Sequence, residues 1–272
     1  MNHLRAALSI LVITFVAMTL IPLQWLSVRF DIGDKAYLPR LFHRAVRLIV
    51  GFKIVQTGTI SPDRPLLFAI NHASWLDITV FGSLTPVAYV AKQEVATWPV
   101  FGLFARLQRT VFVERTRQRT AGHRDDILQR LDAGERIGLF PEGTSSDGNR
   151  VLPFKSAFFA VADHRNYGKP LPVQPVSIAY VGVNGLPIGR NGRPTFAWYA
   201  DMDLASHLWG VLSAGSLTVS VQFHPVVTID AFASRKELAR YCEETVAQGV
   251  SDALTGRLTP RSKDSAGSTV AA

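Results

Sequence analysis

The chain has one cysteine, Cys242, in 272 residues, so no intrachain disulfide can form and a reducing compartment is permitted. Charge is also scarce. Asp, Glu, Lys and Arg make up 18% of the residues, against 47% apolar types. Mean hydropathy is +0.15, high for a purely soluble protein, which points to one apolar segment raising the average. Acidic residues are the rarer sign, 21 against 29 basic, and the net charge of +8 favours acidic partners. Nucleic acid, anionic lipid headgroups and an acidic carrier protein all fit that charge. Several reaction classes lack their signatures. There is no G-x-S-x-G elbow, which disfavours a soluble serine hydrolase. There is no phosphate-binding P-loop and no Cys/His spacing for zinc, so no cofactor and no metal site is expected. Cys242 lies in a helical pattern, and His123, His164, His207 and His224 lack ligand-like companions. With no covalent nucleophile in evidence, what remains is a base and a set of anion and headgroup contacts. That inventory suits direct transfer between two bound substrates.

What is present begins with a long apolar run. Residues 6–28 carry no charge over 23 positions, enough at 1.5 Å per residue to cross a hydrocarbon core of about 30 Å. A cleaved signal peptide is the competing reading, but no A-x-A site follows. Pro22 is expected to break or tilt this helix, and Trp25 suits an interface. Residues 38–54 then read as a basic amphipathic helix for an anionic leaflet, with Arg40, Arg44 and Arg47 at helical spacing. A surface helix packed on the domain is the alternative. Arg29, Lys35, Arg40, Arg44 and Arg47 follow the run and only Arg5 precedes it. The positive-inside rule therefore places the main domain on the cytoplasmic side of the inner membrane. Nucleic acid drops out, because these cations follow a membrane segment and no stacking-aromatic module accompanies them.

Beyond this, short apolar runs alternate with helical patterns. Strands are predicted at 66–70, 87–91, 110–114, 137–140, 173–179 and 217–223, and helices at 75–84, 99–107, 120–133, 154–163 and 235–254. The alternation predicts an α/β fold, a mostly parallel sheet flanked by helices with active residues at strand ends. The expected organisation is a membrane-anchoring pair of helices over 1–54, a catalytic domain over 55–254, and a disordered Ser/Thr/Gly/Ala-rich tail over 255–272.

The chemistry-bearing residues follow two of these strands. After LLFAI comes Asn71-His72-Ala73-Ser74-Trp75-Leu76-Asp77, in which Ser74 is expected to cap the next helix with Asp77 as its capping-box partner. Residues five apart on a continuous helix point about 140° apart, so a His72–Asp77 hydrogen bond needs the bend of a strand-to-helix turn. A neutral imidazole there can accept a proton from an attacking hydroxyl, with a carboxylate on its other nitrogen fixing the tautomer. Seventy residues later, Phe140-Pro141-Glu142-Gly143-Thr144-Ser145-Ser146 puts a carboxylate, a glycine and hydroxyls in one tight turn, able to hold a headgroup or an anion. Lys155 is expected on the following helix, meeting an acidic group or snorkelling to the surface. Arg115 ends the strand VFVER and could bind a carboxylate or phosphate in forked fashion. VQPVSI at 173–178 is a strand pattern with a proline that suggests an edge or an entry. Taken singly, His72 and the Glu142 turn are as consistent with a structural role as with a functional one, and the Arg115 and VQPVSI pieces favour a structural one.

Together and in this order, NHASWLD, VFVER, FPEGTSS and VQPVSI resemble the four blocks of the glycerolipid acyltransferase family, over residues 66–177. The resemblance implies His72 as general base and Asp77 as its partner. It implies acceptor- and substrate-binding roles around Asn71, Ser74, Arg115, Glu142, Gly143, Thr144, Ser145 and Lys155. It also implies an acyl carrier protein or acyl-coenzyme A donor, a lysolipid acceptor, and no metal. One position departs from the family's phosphatidate-forming branch. That branch usually reads E-G-T-R-S, with the arginine thought to meet the acceptor's phosphate, and here the position is Ser145. GTSSDGNR, LPFKS and SHLWGVL look similar to the bacterial lyso-ornithine lipid acyltransferases, whose acceptor has an amino acid headgroup without phosphate. A lyso-ornithine lipid is therefore the favoured acceptor and lysophosphatidate the alternative. A membrane-bound lipid-binding protein without catalysis is the reading from another class, disfavoured by the intact His72 and Asp77.

Overall fold

The computed structural model describes residues 2–113, 120–166 and 168–257. Arg115 lies outside these residues, as does the tail from 258 onward. The chain opens with helix α1 (His3–Arg29), which runs unbroken through Pro22. The expected break does not form: α1 stays helical where it packs on α2, α4 and α6, against a cost of about 3 kcal/mol for an interior proline. Helix α2 (Tyr37–Val50) stops at Gly51, which takes a left-handed φ of +80°. Strand β1 (Phe52–Thr57) starts at once. The predicted helix over 38–54 is thus too long by its last residues, and the boundary between helix and sheet falls at Gly51. Glycine as a left-handed helix stop was the available signal.

There follow β2 (Leu66–Ile70), α3 (Leu76–Leu84), β3 (Ala88–Lys92), α4 (Phe101–Leu107), β4 (Val111–Val113), α5 (Thr120–Asp132) and β5 (Arg136–Leu139). A small ribbon, β6 (Arg165–Asn166) and β7 (Lys169–Pro170), leads to the long β8 (Val173–Val183) and to β9 (Leu186–Pro187). Helix α6 (Leu204–Ala214), β10 (Leu217–Phe223) and α7 (Arg235–Leu254) complete the described chain. The helix expected at 154–163 is instead an extended entry and a 3-10 turn over Ser156–Val161, so Lys155 sits ahead of it in extended conformation.

Among the described residues the main sheet runs β1-β10-β8-β2-β5-β3-β4, with β9 paired to β8. Neighbours are parallel except β10 and β9, which are antiparallel to β8. The α/β fold with a mostly parallel sheet is therefore the one present. Pro175 does not lie on an edge strand, since β8 is interior. Registered pairing with β10 begins at Val176; at Pro175 the His224 N–H donates to the proline carbonyl, while the His224 carbonyl accepts from Gln174 Nε2, the proline having no N–H to offer. Alternation along β2 splits its residues between two cores. Leu66, Phe68 and Ile70 pack beneath α2, α3 and α6, while Leu67 and Ala69 pack beneath α5 and α7. Strands β2 and β5 are adjacent and parallel, Ala69 opposite Leu139. The turns leaving their carboxyl ends must therefore meet, and both sequence motifs sit on them.

The close approach of α2 to α3 rests on His43 lying over Gly82, where a Cβ would come within 2.5 Å of the His43 ring. Gly82→Ala is expected to destabilise the fold by about 1–3 kcal/mol through overpacking. Gly210→Ala, in α6 with nothing within 4 Å of the new methyl, is expected to be neutral or stabilising by about 0.5–1 kcal/mol. Denaturant unfolding of the two variants beside the parent checks both signs.

Candidate functional site

The site is built first by the turn that leaves β2. The Asn71 side chain donates to the Ile178 carbonyl (2.9 Å) and accepts from the Ile178 N–H (2.7 Å), tying the end of β2 to β8. The chain then bends, and His72 faces back toward the first turn of α3. His72 Nδ1 lies 2.8 Å from Asp77 Oδ2. The same oxygen accepts the backbone N–H groups of Ala73 (2.8 Å) and Ser74 (2.9 Å), and Asp77 Oδ1 accepts the Tyr180 hydroxyl (2.5 Å). Asp77 is 0% exposed, and four donors with no acceptor suit a carboxylate. Nδ1 must then carry the proton in this hydrogen-bond network, which leaves Nε2 of a neutral ring as the acceptor. The imidazole stacks on Phe140 (4.1 Å between centroids), which in turn stacks on Tyr89. Burial and the Asp77 charge push the Tyr180 and Tyr89 hydroxyls well above their usual range. With its side chain 18% exposed, His72 is the member of the cluster that a substrate can reach.

The second turn, after β5, is fastened to the first. The Ser146 N–H donates to the His72 carbonyl (2.9 Å). Glu142 accepts the His72 N–H on one oxygen (2.8 Å) and the Leu152 N–H on the other (3.1 Å). Burial pushes the Glu142 carboxyl up to about 8, opposed by those two N–H contacts. Gly143 turns with φ +69°, and Lys155 Nζ lies over it. Two contacts set the path of the segment carrying Lys155: Glu243 of α7 accepts the Phe154 N–H (2.8 Å), and the Lys155 N–H donates to Pro141 O (2.9 Å). The amides of His72, Ala73, Ser74, Gly143 and Ser146 are all engaged within the two turns. Those of Thr144 and Ser145 are bonded to no described residue.

The residues picked out in the sequence fall into two groups. His72, Gly143, Thr144, Ser145 and Lys155 share the accessible side of the joined turns, and Thr144 and Lys155 are exposed. Asn71, Ser74, Asp77 and Glu142 are buried beneath them. Asn71 and Glu142 have their polar atoms committed to backbone groups, so neither offers a ligand a contact. Ser74 does not cap α3, because its Oγ is enclosed beside the Tyr180 phenol. The capping box is half formed, with the Asp77 carboxylate accepting the Ser74 N–H. Arg115 lies outside the described residues. Phe140, which opens the FPEGTSS block, stacks on His72; Tyr180 and Glu243 touch this network and carried no sequence signal beyond strand or helix periodicity (Tyr180 shares the Ile178 face of β8), because each reaches it through tertiary pairing.

The acyltransferase family profile matches residues 51–179. The lyso-ornithine lipid O-acyltransferase of Rhizobium meliloti (strain 1021) is 44% identical, over 94% of this chain and 89% of that protein. The lyso-ornithine lipid O-acyltransferase of Brucella abortus (strain 2308) is also 44% identical, over 94% and 98%. The 1-acyl-sn-glycerol-3-phosphate acyltransferase of Neisseria gonorrhoeae is 32% identical, over 73% and 75%. Among solved structures, the 1-acyl-sn-glycerophosphate acyltransferase of Thermotoga maritima superposes with a TM-score of 0.65 at 24% identity, covering 95% of this chain and 100% of that one, a likeness of fold.

Glu142 yields a pH test. Its folded-state value is raised, so the folded protein holds this proton more tightly than the unfolded chain does. Stability from this group is therefore full below the ordinary carboxylate range and is lost as pH rises from about 4.5 to about 8. Glu142→Gln is expected to flatten that decline. It should also be less stable at pH 5, because its amide turns a donor toward one of the two N–H groups. Unfolding midpoints at pH 5, 6.5 and 8 measure both effects.

Proposed function

The chain belongs to the acyltransferase family, and we propose that it transfers a fatty acyl group from a thioester to the free hydroxyl of a lysolipid, with lyso-ornithine lipid as the acceptor. The observation that carries the chemistry is the partly exposed His72 ring, held by a buried Asp77 with donors on both oxygens, at the meeting of two strand-end turns. His72 Nε2 takes the proton of the acceptor hydroxyl as its oxygen attacks the thioester carbonyl. The tetrahedral intermediate then expels the thiolate, which recovers that proton from the imidazolium. Asp77 keeps the Nδ1 proton in place and balances the positive charge while it lasts. No acyl-enzyme forms. The oxyanion needs donors that are not already in use, and the Thr144 and Ser145 amides answer that description.

Ser145 and the two relatives at 44% identity support the phosphate-free acceptor. Lacking a charged partner for phosphate costs about 1.5–3 kcal/mol, or one to two decades of affinity. Lysophosphatidate is the second reading, and the observation that favours it is Lys155, an exposed cation over Gly143. The donor is acyl carrier protein or acyl-coenzyme A, both of which suit a net charge of +8.

Membrane association follows from α1, which is long and apolar enough to span. We read it as lying in one leaflet, for a geometric reason. The Asn2 N–H and the Arg5 guanidinium bind carbonyls of α6 and α2 at one end of the helix. Gln24 binds the Lys35 and Leu107 carbonyls at the other (2.9 and 2.8 Å). Roughly 28 Å of helix separates these ties, so crossing the bilayer would drag the domain's polar core into hydrocarbon. In this reading the exposed Leu8, Phe15, Met18 and Leu26 face lipid. Residues 2–50 anchor, the domain runs from β1 to α7, and the basic face of α2 rests on anionic headgroups at the cytoplasmic surface of the inner membrane.

Detergent-solubilised protein is offered a labelled acyl donor with lyso-ornithine lipid or lysophosphatidate. Selective labelling of the former is expected, falling about 10²–10⁴-fold in His72→Ala. Labelling of lysophosphatidate alone would overturn the acceptor, and an active His72→Ala would overturn the base. Ser145→Arg is expected to raise use of lysophosphatidate by about 10–100-fold, read as kcat/KM on the two acceptors.

A further inference from the structure

Asp77 has two oxygens in unequal surroundings. Oδ2 takes three donors from its own turn: His72 Nδ1 and the N–H groups of Ala73 and Ser74. Oδ1 takes one, from the Tyr180 hydroxyl. That hydroxyl arrives from another part of the chain, 103 positions away in sequence. Asp77 is 0% and Tyr180 1% exposed, so no solvent reaches Oδ1 to replace the phenol. Strand β8 therefore holds the turn at both ends, at Asn71 through the Ile178 backbone and at Asp77 through the Tyr180 side chain.

We propose that Tyr180 is a positioning residue for acyl transfer, acting on His72 through Asp77. This rests on the reading of His72 as the base. A carboxylate held only through Oδ2 can swing about its Cβ–Cγ bond, and the swing would turn its lone pair away from Nδ1. The bond to Oδ1 from a rigid strand removes that freedom. Phe140, stacked on the imidazole face, leaves the ring little room to follow a displaced carboxylate. Tyr180 thus sets the direction in which Nε2 points without touching a substrate. The phenol stays a donor at working pH, since burial and the adjacent carboxylate oppose its ionisation.

The test is steady-state kinetics of full-length Tyr180→Phe, Asp77→Asn and the double variant in detergent, with His72→Ala alongside. The expected result for Tyr180→Phe is a fall in kcat on the order of 10-fold, the scale of losing an outer hydrogen bond behind an oriented histidine. KM for donor and acceptor should stay within about twofold. In the Asp77→Asn background the same substitution should have almost no further effect, because the route through the carboxylate is already broken. An unchanged kcat overturns the proposal, as does a rise in KM in place of the kcat loss, or a full additional loss on top of Asp77→Asn. A His72→Ala enzyme that stays active would instead sink the base reading, so the two failures are told apart. If Tyr180→Phe does not fold, 3-fluorotyrosine at position 180 keeps the ring and hydroxyl but alters the donor strength. An unchanged kcat in that protein also overturns the proposal.

Discussion

A carboxylate with no access to water needs donors on both of its oxygens, and that requirement organises this protein around Asp77. Burying an unsatisfied charge costs several kcal/mol, so the turn 71–77 can exist only where four donors converge. Two are backbone amides exposed by the strand-to-helix bend. One is His72, and one comes from β8. The bend needs β2 to end where it does, and the phenol needs β8 beside β2 in its observed parallel register. The sheet order is therefore part of the chemistry, because it delivers a hydroxyl to a point that local sequence cannot reach.

The second turn follows the same logic with a different outcome. Glu142 also lies in the dry interior, but its partners are two backbone N–H groups that join the turns and the segment carrying Lys155. Its work is architectural, holding the accessible side chains in register with His72. Among the described residues of the two turns, those available to a substrate are the His72 imidazole, the Thr144 and Ser145 amides and the Lys155 ammonium. The proposed base, two amides that bond no described residue and one exposed cation suit a reaction whose covalent steps all occur between the two substrates.

Helix α1 accounts for the positive mean hydropathy of the chain. Its outer side has no protein partner among the described residues, and its inner side is tied to the domain at both ends. A lysolipid that never leaves its leaflet needs an enzyme seated beside that leaflet. In the proposed reading, a helix lying along the domain seats the enzyme beside that leaflet.

Much of this was legible in the chain, for local reasons. The β2 and β10 strands and the α7 helix fall at the expected residues, because periodicity and capping act within a few positions. The His72–Asp77 pairing was also open to argument from spacing, since the bend that allows it is a local event. Other features were out of reach. Gly51 ending α2, and the extended path at Lys155, turned on which of two local preferences the packed domain rewards. Asn71, Ser74 and Glu142 read as ligand contacts but are buried, because a motif shows which groups assemble without showing which of them face solvent. Tyr180 and Glu243 carry no motif at all and enter through β8 and α7. Short-range order follows from side-chain type and period. The exposure of a group, and its partners from distant sequence, exist only once the strands have paired.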